Sequence, residues 1–202
     1  MDIGEVLDAA KANGLLGELV MRILRDADAY RELAKYFIAS NNGLFLKPIG
    51  VVRHGYSDDD IKRLGVVDGI IEVFEEFKDG LKGIDGFSHL IVISLLNEVN
   101  EDQRRVLIVK PRRLVKYGIS EGELPEVGVF ATDSPHRPNP IGLSIVKLIS
   151  RDGRFLKVSG LDLFNGTPVL DIKPYTPDRF VKDLKVPEWY STLFSRIGGR
   201  AI

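Results

Sequence analysis

Between Phe130 and Ser144 the chain reads Phe-Ala-Thr-Asp-Ser-Pro-His-Arg-Pro-Asn-Pro-Ile-Gly-Leu-Ser. A hydroxyl (Ser134), an imidazole (His136), a guanidinium (Arg137) and a carboxamide (Asn139) are interleaved there with Pro135, Pro138 and Pro140. Each proline fixes its own φ and pushes the residue before it out of the helical region, so the segment is expected to be a stiff, extended loop. Polar groups held this way lose little entropy when a ligand arrives, which favours a binding site over a solvated turn. The loop then runs into Ile141, Leu143 and Ile145, an alternating apolar pattern that would anchor it as a strand.

Three other chemistries are weighed against this one. His54, His89 and His136 lie on separate segments without ligand spacing, so no metal is expected. Ser134, His136 and Asp162 could in principle form a hydrolase triad, but neither a nucleophile elbow nor a glycine-rich oxyanion loop accompanies them. Nor is there a dinucleotide fingerprint or a phosphate loop, so a nucleotide-like ligand would not be held in the Rossmann manner.

Two carboxylates follow the loop. Asp152-Gly153 and Asn165-Gly166 are both two-residue hairpin signals, so Ile141 to Lys173 is expected to form three consecutive antiparallel strands. That register would set Arg151 opposite Arg154, Ile145 and Asp171 opposite Gly160, and Asp162 opposite Val169. Asp162 and Asp171 would then share one face as diagonal neighbours, about 7 to 8 Å apart. Val146, Leu148, Leu161, Leu163, Leu170 and Ile172 would form the opposite, core face.

The proline loop, together with Ile49-Gly50-Val51-Val52-Arg53, Gly86-Phe87-Ser88-His89-Leu90, Asp162-Leu163, Gly166-Thr167-Pro168-Val169 and Asp171-Ile172-Lys173-Pro174-Tyr175, resembles the TsaA-like, or TrmO, family from about residue 44 to residue 190. The resemblance implies a methyltransferase that uses S-adenosylmethionine (SAM), is built on a small β-barrel, works as a homodimer and methylates N6 of threonylcarbamoyladenosine at position 37 of tRNA. It implies that SAM is held by Ser134, Pro135, His136, Arg137, Pro138, Asn139, Pro140, Ile141, Gly142 and Leu143, and by the segment carrying Lys173 and Tyr175. Asp171 and Asp162 are the candidates for removing the acceptor's proton. The chain departs from the family pattern at Thr132-Asp133-Ser134, where Thr-Arg-Ser is common, and at Arg53-His54-Gly55-Tyr56. Two alternatives therefore stay open: a methyltransferase with another small or adenosine-like acceptor, and a non-catalytic SAM- or RNA-binding barrel.

The elements that must position these residues read as follows. From Ile3 to Ile38 apolar residues recur at three- and four-residue spacing up to the stop at Asn41-Asn42-Gly43, so residues 1–42 are expected to be a helical N-terminal extension. After it, short apolar runs at Leu44–Arg53, Gly69–Phe77, Phe87–Leu96, Arg105–Val109, Val127–Ala131, Ile141–Ser150, Arg154–Phe164 and Pro168–Lys173 predict a mainly β fold, a small β-barrel over residues 43–202. Phe87–Leu96 is apolar on both alternating faces and should be central. Arg104, Arg105, Lys110, Arg112, Arg113 and Lys116 form the one local concentration of positive charge, the best place for phosphate contact.

Composition bounds the rest. The 202 residues suffice for one well-buried domain, and 28 Lys and Arg against 29 Asp and Glu leave any RNA surface to a local patch. The absence of cysteine rules out thiolate metal sites and a cysteine nucleophile. Neither a signal peptide nor a membrane-spanning run is read, which places the protein in the cytoplasm.

Overall fold

Alternation of apolar residues governs the strands, because every second side chain must leave water on the same side. The computed structural model describes residues 46–198, and the expected helices of residues 1–42 lie outside them. Eight strands are present among the described residues: β1 (Gly50–Arg53), β2 (Val67–Val73), β3 (His89–Leu95), β4 (Ile108–Val109), β5 (Val127–Gly128), β6 (Ile141–Asp152), β7 (Phe155–Leu161) and β8 (Pro168–Pro174). Six of them close into a barrel in the order β1-β2-β7-β6-β3-β8, with every neighbouring pair antiparallel. Closure leaves no free sheet edge.

The chain divides into two compact units. The first takes the residues up to Glu98 together with Ile141–Tyr175, and contains the barrel. Val52, Ile71, Leu90, Val92, Val146, Leu156, Val158, Leu161 and Val169 are all fully buried inside it. Burying side chains of this size stabilises by about 1.5 to 3 kcal/mol each, which is what holds the strands closed. β3 lies between β6 and β8, and Leu90, Ile91 and Val92 are all buried, as its unbroken apolar run predicts. At the closing seam β1 runs against both β2 and β8, and a Cβ on Gly50 would come within 2.5 Å of the Glu72 carbonyl. On the outside, Glu72 bridges Arg53 at 2.9 Å and Arg154 at 2.8 Å, tying β1 and β2 to the turn before β7. Burial alone would raise that carboxyl's pKa, but hydrogen bonds from the two guanidiniums outweigh it and hold it below the usual 4.5.

Helix α1 (Asp58–Leu64), which the β-type reading passes over, starts at a capping box. The Ser57 hydroxyl accepts from the Asp60 amide while the Asp60 carboxylate accepts from Ser57, and three aspartates sit on the positive end of the helix dipole.

The second unit takes Val99–Pro140 and the residues after Tyr175. It contains helix α2 (Glu101–Arg104), the two-stranded β4–β5 ribbon and helix α3 (Glu188–Arg196). Its own small core joins Leu114, Ile119 and Leu124 to Leu193 and Ile197 of the C-terminal segment, with Tyr117, Trp189 and Phe194 packed alongside. Arg196 and Glu123 pair at 2.9 Å beside that core.

Two features of the expected register are corrected. β7 and β8 are not neighbours: β7 runs between β2 and β6, and β8 between β3 and β1. The Asn165-Gly166 turn exists, with the Thr167 amide on the Phe164 carbonyl at 3.2 Å, but it carries the chain across the barrel rather than into a hairpin. In the β6–β7 hairpin Asp152 pairs with Phe155 across Gly153-Arg154, and an irregularity between Leu148 and Ser150 moves the register by one. The run Gly69–Phe77 also ends early, the backbone turning at Phe74 into the 3₁₀ segment Glu75–Leu81.

Candidate functional site

The proline loop belongs to the second unit and is braced from inside. After β5 the backbone makes a 3₁₀ turn over Val129–Ala131, anchored by buried Val129, whose amide donates to the Leu107 carbonyl at 2.9 Å. Two serine/threonine turns then follow in series. The Ser134 amide donates to Thr132 Oγ1 at 3.2 Å, and the His136 amide donates to Ser134 Oγ at 3.3 Å. Arg137 folds back over them: Nε donates to the Ser134 carbonyl at 2.7 Å, and Nη2 donates to the carbonyls of Val129, at 3.2 Å, and Thr132.

Arg137 is thus committed to shaping its own loop, a use of the planar fork that sequence reasoning missed. The signal was present in the prolines, which remove backbone donors and leave carbonyls in search of a partner. Ser134 is likewise engaged with the backbone of His136, and no bond joins its hydroxyl to a histidine ring, so the triad geometry is not formed. Asn139 is exposed, and its carboxamide has no hydrogen-bond partner among the described residues; Pro135 and Pro138 are exposed and Pro140 is buried.

The remaining candidates lie in the barrel unit. Along β6, Ser144 and Val146 are buried, while Ile141, Leu143 and Ile145 are 41%, 63% and 49% exposed. Inward Gly142 lies against β3, where an added Cβ would meet Ser94 Oγ at 2.5 Å and Leu96 at 3.0 Å. Ser94 Oγ is itself fully buried and has no hydrogen-bond partner among the described residues.

Asp171 pairs across β3 with Ile93, which pairs in turn with outward Leu143, so Asp171 stands on the outer face. Its Oδ1 accepts from the Ile172 amide at 2.8 Å and its Oδ2 pairs with Lys173 Nζ at 2.6 Å. Asp162 lies just beyond β7 and accepts from inward Ser144 Oγ at 2.5 Å. The diagonal pairing expected to bring the two carboxylates together does not exist, because β7 and β8 are not neighbours. Tyr175 is 37% exposed, and its amide donates to the His89 carbonyl at 3.0 Å. The His89 ring bonds to Ser88 Oγ at 2.9 Å.

His54, assigned no role from sequence, uses both ring nitrogens: Nε2 donates to the Leu163 carbonyl at 2.9 Å and Nδ1 accepts from the Tyr56 amide at 3.3 Å. This fixes the neutral tautomer and marks His54 as structural. Among the described residues no group of three or more His, Asp or Glu is placed to hold a metal, and no helix is long and apolar enough to cross a membrane.

What this arrangement can do is bind. It offers a stiff loop with an exposed carboxamide and a half-buried imidazole and, separately, a barrel face carrying apolar residues beside an Asp–Lys pair.

Residues 62–179 match the family model of the tRNA-methyltransferase O N-terminal domain. A "Probable S-adenosyl-L-methionine-binding protein" of Archaeoglobus fulgidus is 46% identical over 135 residues, which cover 65% of this chain and 34% of that protein. The tRNA (adenine(37)-N6)-methyltransferase of Escherichia coli is 37% identical over 140 residues, 64% of this chain and 56% of that protein. Among solved structures, one titled "Crystal structure of TrmO" aligns with a TM-score of 0.54 at 32% identity, covering 71% of this chain and 63% of that one. The chain thus spans between a third and two thirds of the length of these relatives.

Proposed function

The chain belongs to the family of the tRNA-methyltransferase O N-terminal domain, and from that premise we infer that it is a SAM-dependent methyltransferase acting on N6 of threonylcarbamoyladenosine at position 37 of tRNA. The observation that carries this reading is the braced loop from Val129 to Arg137, which leads directly into exposed Asn139. SAM supplies an activated methyl group on a sulfonium that leaves as a neutral thioether. The protein then has two tasks, to hold donor and acceptor in line and to receive a proton.

The residues present fit that group. A sulfonium nucleoside with an amino-acid tail, net positive at neutral pH, asks for amide donors and acceptors, an apolar wall and carboxylate or carbonyl acceptors for its ammonium. Within the loop, Asn139 and Asp133 are exposed polar groups of the first and third kinds; within the barrel unit, taken by itself, exposed Ile141 and Leu143 are of the second kind and Asp162 and Asp171 of the third. The methyl group would come from bound SAM, and what this chain must supply is a base for the proton that N6 gives up as it is methylated. Asp171 on β8 and Asp162 just beyond β7 are the proposed bases.

The protein is also proposed to be a homodimer, located in the cytoplasm with its tRNA. The exposed outward row of Ile141, Leu143 and Ile145 supports a second copy, since contiguous apolar surface of this kind favours burial. One feature favours a second reading of the acceptor: Asp133 puts a negative charge beside the loop, which repels phosphate and suits a smaller substrate.

Nucleoside mass spectrometry after incubation with SAM and tRNA from a strain lacking the methylation tests the reading. Appearance of the N6-methylated nucleoside with stoichiometric S-adenosylhomocysteine is expected. S-adenosylhomocysteine formed only with a small acceptor would favour the second reading, and SAM binding without turnover would leave a sensor. Light scattering at micromolar concentration should give twice the 22.5 kDa chain mass.

A further inference from the structure

Phe130 is 81% exposed, the most exposed large apolar side chain among the described residues, yet it is not on a loose segment. The residues on either side of it are pinned. Val129 is 1% exposed with its amide on Leu107, and Arg137 bonds the carbonyls of both Val129 and Thr132. The Thr132 hydroxyl adds a third bond to the Val129 carbonyl at 3.0 Å. Counting the Thr132 amide on the Val129 carbonyl at 3.2 Å, five hydrogen bonds fix the backbone on either side of Phe130, so its exposed ring stands on a rigid turn.

β4, the partner of the strand that leads to Phe130, lies within the most cationic stretch of the chain. From Gln103 to Ser120 there are six Lys and Arg and no acidic residue. Ile108 pairs with Gly128 and Val109 with Val127, so the end of β5 that leads to Phe130 runs beside the Arg105–Leu107 end of β4. At the other end, Lys110 leads into the 3₁₀ segment Arg112–Tyr117, whose Leu114 is buried in the second unit's core. At three residues per turn, Arg113 and Lys116 fall on one face of that segment. Arg112 is neutralised by Glu121 at 2.8 Å and Arg104 leans on Glu101 at 3.9 Å, whereas Arg105, Lys110 and Arg113 have no ion pair among the described residues.

We propose that the β4–β5 ribbon is a docking surface for single-stranded RNA, with the Phe130 ring stacking on an unpaired base and Arg105, Lys110 and Arg113 meeting backbone phosphates. It rests on the reading that the substrate is a tRNA, and names the surface that receives its loop. An aromatic face accepts any base and fixed cations accept any phosphate, the combination by which unpaired strands are held. Charge complementarity selects RNA over a second copy of this chain, whose formal net charge is only -1.

The test measures fluorescence anisotropy of a labelled anticodon stem-loop RNA on the full chain, beside SAM titration, light scattering and methyl transfer. Phe130→Ala should weaken RNA binding roughly 10- to 100-fold and Phe130→Trp should restore it. Arg105→Ala with Arg113→Ala should weaken binding and reduce the slope of log affinity against log salt by about 0.7 per lost phosphate contact. SAM affinity and molar mass should not move in any of these variants. Unchanged RNA affinity in Phe130→Ala, a parallel loss of SAM binding, or a change in mass would overturn the proposal, the last assigning Phe130 to contact between copies. Phe130-dependent RNA binding without any methyl transfer by the unaltered protein would leave the surface standing and remove the reaction.

Discussion

Arg137 Nε donates to the Ser134 carbonyl at 2.7 Å, so the side chain that looks most like a ligand clamp is spent on its own loop. Replacing it by Ala leaves the carbonyls of Val129, Thr132 and Ser134 without that donor, and the loop loses the brace that keeps Asn139 in place. We expect Arg137→Ala to raise the SAM Kd roughly tenfold or more, the cost of several lost charge-assisted bonds passed on as disorder. Hydrogen exchange at the Thr132, Ser134 and His136 amides should accelerate with it. Asn139→Ala should weaken SAM binding by a similar factor with no change in exchange, because Asn139 is held by the loop and does not hold it. Accelerated exchange in both variants would contradict this division of labour.

Ser94 Oγ is fully buried, unpartnered among the described residues, and pressed against Gly142. A buried hydroxyl without a bond costs about 1 to 3 kcal/mol, so Ser94→Ala should raise the urea midpoint or leave it unchanged, where most core truncations lower it. Gly142→Ala should be destabilising, since its Cβ would stand 2.5 Å from that oxygen. The double variant removes the oxygen and should recover part of the loss. Additive losses would show that Leu96, at 3.0 Å, is the harder obstacle.

How far these features were legible depends on the range of the interaction that makes them. Prolines act on their own φ and on the residue before, so the stiffness of the segment from Pro135 to Pro140 can be read from the chain alone. Alternation is equally local, and the buried set Val146, Leu161 and Leu163 follows from it. Strand partnership is different. Asn165-Gly166 announces a reversal, and the reversal is there, but no local signal tells whether the next strand lies beside β7 or across the barrel. Barrel closure decides that, by seating β8 against β1 and β3. With the wrong neighbour assigned, Asp162 and Asp171 read as diagonal partners, a pairing that the barrel does not make. Charge meant for a ligand and charge meant for a carbonyl likewise look the same in a sequence, which is why Arg137 reads as a binding residue.

Glu72 is depressed below its ordinary 4.5 in the folded protein, where Arg53 and Arg154 bond its carboxylate against the opposing cost of burial. A carboxyl that holds its proton less tightly when folded favours folding at any pH above 4.5, and that contribution disappears as pH falls through the folded value. Denaturation measured from pH 7 downward should therefore show Glu72→Gln less stable than the unaltered chain near neutrality, with the gap narrowing below pH 4.5. A gap independent of pH would mean that Glu72 acts by packing alone.

Asp171 Oδ1 accepts from the Ile172 amide and its Oδ2 pairs with Lys173, so both oxygens are occupied before any substrate arrives. Asp162 has one oxygen on Ser144, and no partner is recorded for the other among the described residues. A base must reach the proton it takes with a lone pair that is not already shared, and on that ground Asp162 is the better placed of the two. Asp171 is then suited to a different task, orienting Lys173 or accepting from an ammonium group of the donor. The kinetics separate these roles. As a base mutant, Asp162→Asn should lower kcat by roughly 10²- to 10⁴-fold with SAM affinity unchanged. As a binding mutant, Asp171→Asn should raise the SAM Kd with kcat at saturation nearly intact, and Lys173→Ala should follow it. The reverse pattern would make Asp171 the base and require Lys173 to release it in the complex. Full turnover in both variants would mean that the proton leaves to water or to the acceptor's own carbamoyl group, and that the barrel's carboxylates serve only to hold it together.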